Sequence, residues 1–163
     1  MTAKPPASTI SITTPSDHEL SWSRRFRAPI ARVFEALTRP ELVRRWLLGP
    51  EGWSMPVCEI DLRPGGRYRY VWRRDRDGQE MGMGGVFEEV SAPTHVTFTE
   101  VFDEAWYAGH ALGRYQLVDE GATTLLVQTM KYESREVRDG VLRSGFEAGI
   151  EKSHERLEAI FSE

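Results

Sequence analysis

The last stretch of the chain, residues 134–161, has the hydrophobic spacing of one long amphipathic helix. Its apolar and small residues recur at intervals of three and four, and they are Val141, Leu142, Phe146, Gly149, Ile150, Ser153, Leu157, Ile160 and Phe161. A helix of this length spans roughly 40 Å. Because only one side of it is apolar, we expect that side to pack against a β-sheet.

Two glycines, Gly145 and Gly149, lie one turn apart on this predicted helix. A glycine inside a helix costs about 1 kcal/mol relative to alanine, so its presence needs a reason. We predict that both glycines leave space for something bulky, and that the core beside the helix is partly hollow.

Earlier in the chain, apolar and polar residues alternate as in half-buried strands. The pattern predicts a strand over 20–26, two short helices over 30–37 and 41–47, and six further strands over 53–62, 67–73, 80–90, 94–102, 110–118 and 123–131. Residues 1–17 lack this periodicity and are predicted to be a flexible leader. A single domain over 18–163 is therefore expected.

Composition narrows the functional classes. The length of 163 residues and a hydrophobic content of 40% suit one domain with a sizeable core. A net charge of −4 with both signs mixed argues against nucleic-acid binding. Cys58 is the only cysteine, and no stretch resembles a signal peptide or a membrane span. We expect a cytoplasmic protein without membrane insertion. The four scattered histidines lack a zinc-ligand spacing, so no metal or cofactor is expected.

Several short motifs resemble a known family. They are Arg32-Val33-Phe34, Ala36-Leu37-Thr38, Pro40-Glu41, Trp46, the run from Asp61 to Arg67, Gly85, and Gly145-Phe146 with Leu157. Together they resemble the domain of activator of heat-shock-protein ATPase homologues, in the START-like (SRPBCC) superfamily. The resemblance implies an α+β helix-grip fold, in which a seven-stranded antiparallel sheet curves around the C-terminal helix and two short helices follow the first strand. It also implies a deep hydrophobic cavity between sheet and helix. Phe146 departs from the tryptophan that the family often has.

Aromatic and sulfur-containing side chains are the candidate lining of that cavity. The set comprises Trp46, Trp53, Met55, Tyr68, Tyr70, Trp72, Met83, Phe87, Phe98 and Phe146, with a gap at Gly149. Flat rings opposite small residues form a slot for a planar apolar ligand, which tyrosine hydroxyls can orient. The alternative is that these side chains fill the core themselves. A β-bulge would also reverse the facing of every later residue on its strand.

Three residues are candidates for proton transfer. Glu100 shares strand parity with Val96 and Phe98, so on an inward face its burial would raise its pKa. The alternative is a Glu100 carboxylate that pairs with Arg114 or meets solvent. Tyr70 and His110 are the other candidates.

The leading hypothesis is a binding module that holds a small hydrophobic ligand, aromatic or lipid-like, between sheet and helix without established catalysis. One alternative is a cyclase- or hydrolase-type enzyme that uses the same cavity. Another is a co-chaperone-like domain that contacts a heat-shock ATPase. Family membership alone does not decide among these functions. A homodimer is also left open.

Overall fold

The computed structural model describes residues 10–163, which form eight strands and four helices. The strands are β1 (Ser11–Ser16), β2 (Glu19–Phe26), β3 (Trp53–Ile60), β4 (Arg67–Arg74), β5 (Glu80–Ser91), β6 (His95–Phe102), β7 (Ala111–Asp119) and β8 (Thr124–Lys131). The helices are α1 (Ile30–Thr38), α2 (Pro40–Trp46), α3 (Arg135–Leu142) and α4 (Phe146–Phe161).

All eight strands belong to one antiparallel sheet in the order β1-β2-β8-β7-β6-β5-β4-β3. The sheet curves around the C-terminal helix, so the fold is α+β and agrees with a helix-grip architecture. Helices α1 and α2 carry the chain from β2 to β3, at the far edge of the sheet. Both edge strands, β1 and β3, have an irregular register with their neighbours.

The expected number of seven strands is wrong, because β1 adds an eighth. It lies within the segment 1–17 that was expected to be a leader, and it pairs with β2 in a register that sets Ile12 opposite Trp22. Almost all of β1 is exposed, so no alternation of apolar and polar residues marks it in the sequence. Residues 1–9 of the expected leader lie outside the described residues.

The predicted single C-terminal helix is also wrong, because the chain breaks it at Gly145. This glycine has a φ of 79°, a left-handed conformation that ends regular helix. Ser134 caps α3 by accepting a hydrogen bond from the Val137 amide at 3.2 Å. The prediction that both glycines open the core also fails. Gly145 is exposed, and a Cβ on Gly149 would face Pro50 Cδ at 3.5 Å rather than a void.

Helix α4 grips the sheet unevenly along its length. Its second half is solidly packed, with Leu157 fully buried and Phe161 in edge-to-face contact with Phe26 of β2 at 5.9 Å between ring centres. Its first half presents Phe146 and Ile150 to an unfilled space. The hollow part of the core therefore lies under the first half of α4.

The helix break supplies a matched pair of glycine substitutions. We expect Gly145→Ala to lower the free energy of unfolding by about 1 kcal/mol, because alanine is strained at positive φ. Gly140→Ala, inside α3 where an added Cβ meets nothing within 4 Å, is expected to raise it by about 0.5 kcal/mol. Urea denaturation of both variants measures the difference. Equal effects of the two substitutions would contradict the break at Gly145.

Candidate functional site

A cavity of about 200 Å³ lies between the sheet and the first half of α4. Seven strands (β2 to β8), the end of α1, α2, helices α3 and α4, the loop after β6 and the residue after β8 contribute to its wall. The lining residues are Trp22, Leu37, Thr38, Trp46, Leu47, Ile60, Tyr68, Tyr70, Trp72, Met83, Phe87, Val96, Phe98, Glu100, Phe102, Trp106, Tyr115, Gln128, Met130, Tyr132, Val141, Phe146, Ile150, Ser153 and His154. The wall is therefore mainly aromatic and aliphatic.

Most of the residues proposed as lining do lie on this wall. They are Trp46, Tyr68, Tyr70, Trp72, Met83, Phe87, Phe98 and Phe146. Their alternation on β4, β5 and β6 places them on the concave face of the sheet. That they contact a ligand stays a prediction.

Three of the proposed lining residues lie elsewhere. Trp53 and Gly149 line a neighbouring surface groove instead. Met55 is buried on β3, where α2 lies against that strand. The register shift between Ser54 and Val57 is the kind of irregularity that makes facing on this strand hard to read from sequence.

The aromatic wall is continuous from ring to ring. The Tyr68 ring centre lies 5.1 Å from that of Tyr70, 5.3 Å from that of Phe87 and 5.9 Å from that of Phe98. Phe98 in turn lies 5.2 Å from Tyr115 on the next strand. Gly113 makes room for this contact, because a Cβ there would be 2.3 Å from the Phe98 ring. The sheet thus presents a continuous lining of mutually inclined aromatic rings to the cavity.

Glu100 is the one carboxylate that residues 10–163 contribute to this wall. Its Oε2 accepts a hydrogen bond from the Tyr107 hydroxyl at 2.8 Å. Burial raises the pKa of Glu100 to about 7, against a smaller lowering effect of the Tyr107 hydrogen bond. Across the β6–β7 pair Glu100 faces Ala111, whereas Arg114 faces Thr97. The alternative of a pair with Arg114 is therefore wrong.

Four tyrosines surround the Glu100 carboxylate. Burial first, and then the negative charge of Glu100, raises the pKa of Tyr68, Tyr107, Tyr115 and Tyr132. These phenols therefore stay neutral at physiological pH. The Tyr68 hydroxyl is already used, since it donates to the Thr99 carbonyl oxygen at 2.6 Å.

Two polar groups on the wall escaped the sequence reasoning. Trp22 Nε1 and His154 Nδ1 are buried, and neither has a hydrogen-bond partner in the part of the chain that the structure describes. Burial, with a smaller effect of the Arg24 charge, lowers the pKa of His154 to about 3, so its imidazole is neutral. Trp22 shares strand parity with the buried Leu20 and Phe26, a signal that could have placed it inside.

An apolar groove of about 300 Å³ adjoins the cavity on the protein surface. It shares Leu47, Trp72, Phe102, Phe146, Ile150 and Ser153 with the cavity wall. Trp106, in the loop after β6, lines the cavity although 49% of its surface is exposed. The cavity therefore reaches the surface beside this loop.

Of the proton-transfer candidates, Glu100 and Tyr70 lie on the cavity wall and His110 does not. His110 is exposed, and its Nδ1 lies 3.5 Å from a Glu133 carboxylate oxygen. Burial raises the pKa of the Cys58 thiol to about 11, so this cysteine is unreactive at neutral pH. Within residues 10–163 no cluster of His, Cys, Asp and Glu could hold a metal ion. None of the helices in that range is long and apolar enough to cross a membrane.

The chain is similar to a known protein family and to several solved structures. The family model described as Activator of Hsp90 ATPase homolog 1-like protein matches residues 27–162. A solved protein from Rhodobacter sphaeroides is similar over 94% of this chain and 98% of its own, with a TM-score of 0.89 and 28% identity.

Two further solved structures are similar at lower identity. A protein from Mycobacterium smegmatis has a TM-score of 0.80 and 22% identity, and the match covers 94% of this chain and 96% of that one. An AHSA1-like protein from Aeromonas hydrophila has a TM-score of 0.69 and 23% identity, with 88% and 95% covered. At these identities the likeness shows the fold alone. No curated protein matches the chain.

The raised pKa of Glu100 predicts an unusual pH dependence of stability. Between the ordinary glutamate pKa of 4.5 and about 7 the folded chain keeps a proton that the unfolded chain releases. This contribution is fully present below about pH 4.5 and is lost as pH rises through about 7. We expect Glu100→Gln, whose amide oxygen can still accept from Tyr107, to be more stable than wild type by up to ~3 kcal/mol at pH 8.

Urea denaturation of wild type and Glu100→Gln at pH 5 and pH 8 measures this effect. Glu104→Gln, on the exposed loop after β6, controls for the loss of one carboxylate. A stability gap between wild type and Glu100→Gln that is the same at both pH values would contradict the burial of an ionisable Glu100.

Proposed function

Since this chain belongs to the family of Activator of Hsp90 ATPase homolog 1-like proteins, we propose that it is a binding module for a small, mainly aromatic ligand. The ligand occupies the cavity between the sheet and the first half of α4. Within this family and its START-like superfamily the fold is shared, so the function is argued from the site itself.

The observation that carries the proposal is the unfilled volume of about 200 Å³ behind an aromatic wall. A dry apolar cavity of ~150 Å³ is enough to hold benzene in another protein. The space in this chain therefore suits a ligand of about two fused rings, and the adjoining groove leaves room for a substituent.

Energetics support an occupied cavity. Unfilled volume beside apolar side chains costs free energy, because the lining atoms lack the dispersion contacts that a filled core would give them. A ligand that fills it recovers part of that free energy through dispersion contacts with the rings. A flat ligand can pack against the tilted tyrosine and phenylalanine rings of β4 to β7.

Glu100 favours acid–base catalysis as a second candidate function. A carboxyl group with a pKa of about 7 in an apolar cavity can take up and release a proton near neutral pH. Catalysis would require turnover of a bound compound that Glu100→Gln abolishes while still binding that compound. Mass spectrometry of the compounds recovered after incubation with each variant makes this distinction.

Contact with a heat-shock ATPase, and formation of a homodimer, stay predictions. Neither uses the cavity. Both are separable from ligand binding, because they depend on the surface.

A larger side chain on the inward side of α4 is expected to narrow the cavity. We expect Ile150→Trp, at a position that lines the cavity, to weaken binding of a bicyclic aromatic such as naphthylethanol at least about tenfold, because the indole takes the ligand's space. Ala148→Trp, which adds the same side chain to the exposed side of α4, should leave binding unchanged. Isothermal titration calorimetry on both variants gives the affinities.

Thermal denaturation with the same compound provides a second readout. Wild type and Ala148→Trp should gain melting temperature in its presence, and Ile150→Trp should gain little. The proposal fails if neither the neutral bicyclic compound nor its charged analogues stabilise wild type, or if Ile150→Trp and Ala148→Trp respond alike.

A further inference from the structure

We infer that the ligand of this cavity is a flat aromatic molecule that carries a positively charged nitrogen, with its rings among the wall aromatics and its cation at Glu100. The inference rests on the proposed function and names the chemical class of ligand. It also excludes one class that the sequence left open, a lipid headed by a carboxylate.

Glu100 has hydrogen-bonding capacity left for a ligand. Its Oε2 accepts from Tyr107, while Oε1 has no hydrogen bond with any residue in the described range 10–163. In the same range Glu100 makes no ion pair within 4.0 Å. The Glu100 side chain is half-buried on the cavity wall, and a carboxylate withdrawn from water is normally matched by a cation or by several donors. Here one oxygen is available to a ligand.

The other groups that the described residues place on the cavity wall supply no charge that would pair with Glu100. In the part of the chain that the structure describes, no lysine or arginine lines the cavity. His154 of α4 faces it as a neutral imidazole, and the surrounding tyrosines from β4, β7, the loop after β6 and the residue after β8 are neutral phenols. Arg24 of β2 is buried outside the wall, where its charge acts on His154. Among the described residues 10–163, Glu100 is thus the only wall group that can carry a charge near neutral pH.

Aromatic rings lie around Tyr107, whose hydroxyl donates to Glu100. The Tyr107 ring centre lies 5.3 Å from that of Tyr132, 5.9 Å from that of Phe102 and 5.1 Å from that of Trp106. Aromatic faces attract a cation through their π electrons, and more strongly when water is excluded. A carboxylate among such faces favours an ammonium group. A ligand carboxylate would instead face a negative charge with no cation to neutralise it.

Binding of a cation must then couple to the protonation of Glu100. The ligand favours the ionised carboxylate, so it lowers the pKa of Glu100 in the complex. Below pH 7 the free protein holds this proton and releases it on binding. Affinity for the cation therefore falls as pH falls from 8 to 6, by about tenfold for one group with a pKa of about 7. A neutral ligand of the same shape lacks this dependence on an ionised Glu100.

Three probes of one shape test the charge preference by isothermal titration calorimetry. They are naphthylethylamine, which stays cationic from pH 6 to 8, neutral naphthylethanol and anionic naphthylacetate. For wild type at pH 8 we expect the amine to bind at least about tenfold tighter than the alcohol, and the anion to bind most weakly. Glu100→Gln should remove the preference for the amine and keep binding of the alcohol, which also shows that its cavity is intact.

A measurement on wild type alone makes the test independent of any variant. Titration of the amine at pH 7 in buffers of different ionisation enthalpy should reveal release of about half a proton per ligand, and the alcohol should release none. Equal affinities for amine and alcohol, no proton release, or an amine preference that survives in Glu100→Gln would overturn the inference and leave the proposed function standing. Failure of all three probes to bind wild type would overturn both.

Discussion

The contact between the second half of α4 and the inner face of β2 is the interaction on which the rest of the structure depends. Leu157 and Phe161 join Leu20 and Phe26 in a dry core that fixes the position of the helix. With that end held, the first half of α4 spans the sheet without having to fill the space beneath it. Phe146 at the start of α4 packs on Trp22, with 5.3 Å between ring centres, and the cavity is the space that this contact leaves unfilled.

The chemistry of the cavity follows from one unmatched charge. An aromatic wall alone would accept any apolar molecule of suitable size. Glu100 gives a bound ligand a preferred orientation, because its carboxyl group lies near phenols and pairs with no cation of the described residues. Tyr107 holds one of its oxygens and ties the loop after β6 to the strand that carries it. Selectivity for charge therefore comes from this carboxyl group, within a wall that is otherwise uncharged and mainly apolar.

The sequence predicts seven of the eight strands because each of them buries one face and so alternates. β1 buries neither face and leaves no such pattern. The break at Gly145 is hidden for a related reason, since the apolar stripe resumes in phase at Phe146. Within the site, strand parity predicts the inward facing of Tyr68, Phe98 and Glu100. Tyr107 could not be predicted as the partner of Glu100, because it lies in a loop without periodicity.

Both free edges of the sheet carry a proline at the point where their register is irregular. Pro15 lies in β1 within the shift between Thr13 and Ser16, and Pro56 lies in β3 within the shift between Ser54 and Val57. A proline cannot donate a backbone hydrogen bond, so neither edge offers an unbroken ladder to another chain. The sheet is thereby shielded from strand-to-strand aggregation, and an assembly of this protein would have to form through side-chain surfaces.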